Sequence, residues 1–388
     1  MKKLSTILLF ILLHDFAFAQ VEPSAKRFRI GIFSSLFLDS SFTKGEYRFD
    51  KQMPRHILPG LDFTKGAMMA MDSVQTNGTL EYYIFDVKSE KQSISFLKTT
   101  RTFDSLDLII GAVAGNDYKQ LAEQALLHGI PFISSTYPND GGVTNNPFTI
   151  IVNTTLPTHC EALYNYILRT FPTSNILYFR KKGAQEDKLA SYFEKQNKAG
   201  NGKELLRWQT IWLKDSANTQ EIEVKLDSQR VNLIIAGSLE EKFAQTLLKS
   251  VAPLCKRYPI ELMGMPTWET MKDLTLPQWK DLSVYYTTTF FNTGTTKWSQ
   301  FTNQFTVLTE GKPSDLAYKG FEQTWYFTNL LLKYENKLFS NLNDKSFFLF
   351  SEYNFKPVYN PVTGKPDYYE NRKIYLLKRK NGLVSRMH

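Results

Sequence analysis

Residues 107–136 read DLIIGAVAGNDYKQLAEQALLHGIPFISST, and this stretch decides the fold. Asp107 to Val113 is a short apolar run that reads as a strand. Asp117 to His128 has the longer amphipathic rhythm of a helix, and PFISS, Pro131 to Ser135, is a second strand. Strand, helix, strand is the repeating unit of a parallel sheet. The strands are apolar throughout rather than alternating, so helices must cover both faces of that sheet.

The same rhythm extends in both directions. Upstream, FRIGIF (Phe28 to Phe33) and YYIFDV (Tyr82 to Val87) read as strands. Gly60 to Val74 reads as a helix with Leu61, Met68, Met69 and Met71 on its apolar side, and a further helix lies near Ser93 to Phe103. Four strands and three crossovers make one doubly wound lobe. After a Pro, Asn, Asp and Gly-rich loop from Tyr137 to Pro147 the pattern restarts. Helices are expected over 157–171, 185–198, 219–229 and 240–256. Strands are expected at NILYF (Asn175 to Phe179), RWQTIWL (Arg207 to Leu213), VNLIIAG (Val231 to Gly237), IELMGM (Ile260 to Met265) and VYYTTTFF (Val284 to Phe291). A helical region follows, Trp298 to Thr309 and Ser314 to Lys337, broken at Gly311-Lys312-Pro313. The chain ends in IYLLKRKNGLVSR (Ile374 to Arg386), where Asn381-Gly382 signals a hairpin.

The composition agrees with a folded protein of two lobes. The 388 residues are 42% hydrophobic and 14% aromatic, with 29 Phe and 20 Tyr, which excludes disorder and collagen-like repeats. The charge is +9, without any run of five or six like charges, so nucleic acid is not suggested. Lys2 and Lys3, the apolar Leu4 to Leu13 and Ala17-Phe18-Ala19 form a cleavable signal peptide over residues 1–19, with Gln20 starting the mature chain. No cysteine follows the site to serve as a lipid anchor, and no later segment reaches 18 apolar residues. The expectation is a periplasmic or secreted protein with no membrane span after cleavage. Export also removes nucleic acid as a partner.

Searches for catalytic motifs return nothing: there is no P-loop, no G-x-G-x-x-G after a strand, no G-x-S-x-G and no H-E-x-x-H. His56, His128, His159 and His388 are not at ligand spacing and read as surface or helix-end residues, so no metal site and no cofactor are expected. Cys160 and Cys255 fall near helices on opposite faces of the second sheet, which argues against a disulfide. Asp39, Asp86, Asp117 and Asp140 lie at or near strand ends, but nothing in the sequence pairs any two as acid and base.

The ordered series RIGIF, GLDFTKGAMMAMDSV, YYIFDVKSE, residues 107–136, PFTIIVNTT, GMPTW and PSDLAYKGFEQTWYFTNLLL resembles the type I periplasmic binding proteins, the leucine-binding-like receptors of amino-acid ABC transporters. It spans roughly Phe28 to Arg386. Some segments look closest to a branch whose receptor module accompanies a peptidoglycan-binding LysM module, although no LysM-like repeat is visible. The resemblance implies an α/β fold of two interleaved doubly wound parallel-sheet lobes with a hinge. Residues 20–152 plus 296–338 would form lobe 1, and 153–295 plus 345–388 lobe 2 with the C-terminal hairpin. The crossings would fall near Ile151 to Thr154, just after Phe291 and before the C-terminal strands, and the late helices would return to cover the first sheet.

Ligands of open parallel sheets bind beyond the carboxyl ends of strands. The candidate ligand-binding residues there are Ser34, Ser35, Asn116, Ser135, Thr136 and Tyr137 in lobe 1, and Ser238, Thr267 and Trp268 in lobe 2. Lys181-Lys182 and Phe290-Phe291-Asn292 end two further strands. Small polar residues also favour caps and turns, so each is either a cap or a ligand contact. The resemblance implies hydroxyl and backbone groups of lobe 1 on a ligand carboxylate and an acidic residue of lobe 2 on its ammonium. Here the acid's expected place after IELMGM holds Thr267 and Trp268, with Glu269 one step later. A buried ammonium without a counter-charge is costly, so these departures point away from an ordinary amino acid. Trp268, Tyr137, Phe290 and Phe291 offer stacking for an apolar, aromatic or sugar-like ligand instead. The long connection Ser34 to Pro59, with Lys44, Arg48, Lys51, Arg55 and His56, reads as a lid, a partner contact or a solvated loop.

The reading is a non-catalytic solute-binding protein that closes on a small molecule and presents it to an inner-membrane permease. The alternative is a cell-envelope sensing or interaction protein that keeps the fold without transport.

Overall fold

The computed structural model describes residues 26–49, 53–74, 79–198, 202–213, 218–291 and 295–387. The signal peptide, Asp50, Lys51, Asn292 and His388 lie outside the described residues. The first lobe opens with β1 (Phe28–Ser34), α1 (Leu58–Ser73), β2 (Leu80–Asp86), α2 (Ile94–Thr99), β3 (Leu108–Ala112), α3 (Gly115–His128), β4 (Phe132–Ser134) and β5 (Thr149–Ile151). The second comprises α4 (Leu156–Thr170), β6 (Asn175–Arg180), α5 (Ala184–Asn197), β7 (Gln209–Trp212), α6 (Thr219–Glu223), β8 (Asn232–Ala236), α7 (Glu241–Val251), β9 (Ile260–Met263) and β10 (Ser283–Thr288). The chain then runs through α8 (Thr296–Thr309), α9 (Asp315–Tyr334), β11 (Phe355–Tyr359), β12 (Pro366–Asn371), β13 (Tyr375–Lys380) and β14 (Leu383–Met387).

Two seven-stranded sheets result, ordered β11-β12-β5-β4-β3-β1-β2 and β14-β13-β10-β9-β8-β6-β7. The first sheet is buried on both faces, as its apolar strands require. Ile30, Ile32, Leu108 and Ile110 point into one core with α1 and α9, whereas Phe33, Ile109 and Phe132 point into another with α3. Of the two late helices expected to cover the first sheet, α9 does so, whereas α8 packs through Phe301 and Phe305 on α9. α1 and α9 approach so closely that a methyl group on Gly66 would strike the carbonyl of Ala317, and one on Gly320 the carbonyl of Phe63.

Several boundaries differ from expectation. The helix expected over 219–229 stops at Glu223, because the Asp227 carboxylate takes the N–H groups of Gln229 and Arg230 in a turn. The helix expected over 240–256 ends at Val251, two residues before Pro253. The largest difference concerns residues 345–388, expected wholly in the second lobe. β11 and β12 complete the first sheet, with Tyr369 and Glu370 registered against Ile150 and Ile151, and only the β13–β14 hairpin joins the second. His159 is also not a surface residue. It is 5% exposed and its Nδ1 shares a 2.9 Å hydrogen bond with the Thr287 hydroxyl, and burial pushes its pKa down to about 3. Cys160 and Cys255 are both free.

The third crossing is the short Arg372 to Ile374 link between β12 and β13. The first crossing is bonded to the other two. Thr154 Oγ1 donates to the carbonyl of Asn371 (2.5 Å), Asn371 Nδ2 donates to the carbonyl of Val152 (3.2 Å), and Thr289 Oγ1 donates to Asn153 Oδ1 (3.2 Å). Glu370 of the first sheet accepts from the N–H and hydroxyl of Thr155 (2.8 and 2.7 Å), at the N-terminus of α4 in the second lobe. A buried carboxylate of one lobe thus caps a helix of the other.

Candidate functional site

β1 and β3–β5 end facing the crossings, and so do β6, β8, β9 and β10, which places both sets of carboxyl ends around one interlobe cleft. The switch points lie between β1 and β3 and between β6 and β8. The sequence-predicted residues divide sharply here between those that hold the fold and those that face the cleft.

On the first lobe, Ser34 is fully buried and its hydroxyl donates to the Gly60 carbonyl (3.1 Å), tying β1 to α1. Ser35 is half-buried, and Asn116 is exposed in the first turn of α3. Ser135 is 1% exposed, and its Oγ has no hydrogen-bond partner among the described residues. The carbonyl of Thr136 accepts from Asn153 Nδ2 (2.9 Å), which links the wall to the first crossing. Tyr137 packs on Tyr118, ring centroids 4.7 Å apart, and so closes the edge of a core rather than standing free. Asp86, Asp117 and Asp140 are likewise structural. Asp86 takes the N–H groups of Leu36, Leu38 and Lys88, Asp117 pairs with Lys88 (2.6 Å), and Asp140 accepts from Gly142 and Tyr368.

On the second lobe, Ser238 donates to Glu186 Oε1 (2.8 Å) and accepts from the N–H of Glu240, a buried cap at the start of α7. Thr267 is exposed and bonded to the Leu239 carbonyl (3.2 Å). Trp268 cannot stack on a ligand: it is 1% exposed, packed over Gly264 in the second-lobe core. The residue that faces the cleft is the next one. Glu269 sits in the same 3-10 turn (Pro266–Thr270), and its Oε1 accepts from the Thr288 hydroxyl (2.6 Å) at the end of β10. Desolvation by the surrounding protein raises its pKa above the ordinary carboxylate value, Thr288 and Lys319 oppose that rise, and the Asp315 charge adds to it. Lys319 and Asp315 belong to α9, on the other lobe. The acid that the sequence seemed to lack after IELMGM is therefore present, one residue late. In the 3-10 turn position 268 is inward and 269 outward, and so short a turn leaves no periodic signal in the sequence.

Between the lobes lies a narrow space of about 10 Å³, room for about one water, bordered by Ser135, Asn153, Phe290, Lys319, Gln323 and Tyr353. Gln323 Oε1, like Ser135 Oγ, is buried there without a partner among the described residues. Glu322 beside it is 1% exposed and accepts from the N–H groups of Phe350 (2.8 Å) and Ser351 (2.5 Å); burial raises its pKa and those N–H groups restrain the rise. Phe290 packs on Trp298 (5.5 Å) with the Lys319 ammonium over its ring at 5.8 Å, and Phe291 packs on Tyr375 (6.1 Å). Both rings line the hinge. No group of three or more His, Cys, Asp or Glu able to hold a metal occurs among the described residues.

The connection after Ser34 is folded. A helical turn (Leu38–Ser41) leads into a two-stranded ladder pairing Phe42 with Tyr47, whose rings lie 5.6 Å apart and are both solvent-exposed. Its base is fastened by Asp86 and by Asp39, which accepts from the N–H of Glu90 (2.9 Å).

By sequence, no family model and no curated protein matches this chain. By structure it is similar to a branched-chain amino acid ABC transporter periplasmic ligand-binding protein from Burkholderia xenovorans, with a TM-score of 0.64 at 10% identity, over 93% of this chain and 95% of that one. It is also similar to the branched-chain amino acid transporter substrate-binding protein of Streptococcus pneumoniae in complex with isoleucine (TM-score 0.52, 16% identity, 93% and 98% covered). A third is an ABC transporter solute-binding protein from R. palustris in complex with benzoate (TM-score 0.53, 14% identity, 93% and 95% covered). The chain has the type I periplasmic binding protein fold. Among the described residues, no helix is long and apolar enough to cross a membrane.

Proposed function

We propose that this chain is an exported, non-catalytic solute-binding protein whose lobes close on a small amino-acid-like zwitterion and deliver it to an ABC-type transporter. The observation that carries the reading is that Glu269 on the second lobe lies within range of the Lys319 charge on the first. A zwitterion between them would set its ammonium against Glu269 and its carboxylate towards Lys319. The free hydroxyl of Ser135 lies on the same side as Lys319. Burying both ligand charges against opposite ones removes the penalty of an unpaired ion in a desolvated cleft. The structural neighbours, whose ligands include isoleucine and benzoate, support a solute-binding role.

A thermal-shift screen of free amino acids, with their N-acetyl and amide derivatives, tests this. A ligand at 100 times its dissociation constant stabilises by about 2.7 kcal/mol. A free amino acid is expected to raise the melting temperature where its two blocked derivatives do not. A shift from the blocked forms alone, or from none, overturns the zwitterion reading.

One observation favours a second reading, a cell-envelope interaction protein that keeps the fold without transport: the exposed Phe42 and Tyr47 pair on the hairpin beside the cleft. Replacing both by Ser should then release the protein from envelope fractions while leaving ligand affinity unchanged.

A further inference from the structure

At the other end of β10, away from the cleft, the chain between Leu274 and Leu282 runs as a string of short 3-10 turns, Lys272–Thr275 and Pro277–Trp279. The turn of the C-terminal hairpin lies against it, with the N–H of Asn381 bonded to the carbonyl of Lys280 at 2.8 Å. Between the two is a pocket of about 120 Å³. Leu274, Leu276, Pro277, Leu282 and Val284 give it apolar walls, and Leu276, 40% exposed, stands at the surface.

Besides the Thr275 hydroxyl and the Asn381 amide, the polar side chains around this pocket are N–H donors. Trp279 Nε1 and Arg379 Nε are shielded from solvent, and neither has a hydrogen-bond acceptor among the described residues. An indole N–H or guanidinium N–H without an acceptor is an uncommon arrangement in a native protein, and it points to a missing partner. Lys280 and Lys380 add two further cations to the lining. No carboxylate lines the pocket: Asp281 flanks the segment, and Glu261 is taken by Lys378 at 3.4 Å. The Arg379 guanidinium also lies within reach of the hydroxyl of Tyr286.

We propose that this pocket is a second binding site, for a small hydrophobic monocarboxylate. The apolar walls take the body and the donors take the head. An apolar cavity of about 150 Å³ accepts benzene, so a space of this size suits one aromatic ring or a short branched chain. A carboxylate accepts from two N–H donors at once and is attracted by the cations at the rim, whereas a neutral amide offers one weaker acceptor oxygen. The site is separate from the cleft. Val284 is registered against Arg379 and Thr288 against Tyr375, so four residues of strand, roughly 13 Å, separate the pocket from the Glu269–Thr288 pair.

Calorimetric titration of the full chain with benzoate and with benzamide tests the proposal. Benzoate should bind at least about tenfold more tightly than benzamide. Trp279→Phe, which keeps the ring and removes the N–H, should weaken benzoate about tenfold. If Trp279→Phe does not fold, Arg379→Leu, which removes the second donor, is read in the same way. The absence of benzoate binding, equal binding of the amide, or an affinity for benzoate that Trp279→Phe and Arg379→Leu both leave unchanged would overturn the second site, the last by placing benzoate elsewhere.

Discussion

Trp268 and Glu269 are consecutive residues with opposite fates, one sealed in a core and the other turned to the cleft. In the proposed zwitterion site, Glu269 is the pH-sensitive group. Its pKa is raised by the surrounding protein, and only its ionised form attracts an ammonium group. Affinity for an amino acid should therefore be full well above that raised pKa and fall as the pH drops through it. The same titration on Glu269→Gln should be flat; a parallel fall in both proteins would place the sensitive group elsewhere. His159 has the opposite sign. Its folded pKa of about 3 lies below the ordinary 6.5, so the neutral buried ring favours folding fully above pH 6.5 and loses that contribution as the pH falls from there towards 3. Proton NMR should show an imidazole that does not titrate between pH 8 and 4.5, and a midpoint near 6.5 would show that the ring is hydrated. Neither role was legible from residue type. A period-two or period-3.6 pattern says which face is apolar, but a single 3-10 turn is too short to carry a pattern. A helix-end histidine reads the same whether or not a neighbouring strand covers it.

Helices and strands were far more legible, because each repeats its signal over several residues. FRIGIF, DLIIGAV and PFISS are strands in place, and the Asn381-Gly382 turn joins β13 to β14 as its type requires. The elements that escaped are β11 and β12, whose residues FKPVY and PDYYEN mix apolar with polar groups and carry a proline each. Their place in the first sheet depends on pairing with β5, more than 200 residues earlier, and no local pattern reports that. The crossing of α1 with α9 is another contact made at long range, and it gives a test of its own. Glycine to alanine in an exposed helix gains about 1 kcal/mol. At Gly66 or Gly320 the same change drives a methyl group into the facing helix's backbone and should instead lose roughly 1–3 kcal/mol. Urea denaturation measures the sign, and a gain in stability would show that the helices can part freely.

For the whole molecule, two doubly wound lobes connected three times make a device suited to opening and closing, since the crossings are bonded mainly to one another through Asn153, Thr154, Asn371 and Glu370. The interleaving follows from the chain leaving the first sheet after β5, leaving the second after β10, and returning through α8, α9, β11 and β12 before the final hairpin. The two-lobe plan was visible in the restart of the strand–helix rhythm after Pro147, whereas the ligand wall was visible only in outline. Ser135 borders the interlobe space and the Thr136 carbonyl is tied to the first crossing, while Ser34 and Ser238 are spent on internal hydrogen bonds and Trp268 on packing. The most direct test of the account is isothermal titration of a panel of free amino acids against the wild-type chain and Glu269→Gln. The account predicts one saturable site in the wild type and, since a hydrogen bond to a charged group contributes about 1.5–3 kcal/mol, an affinity at least roughly tenfold weaker in the variant. No heat from any amino acid, or equal affinity in both proteins, would contradict it.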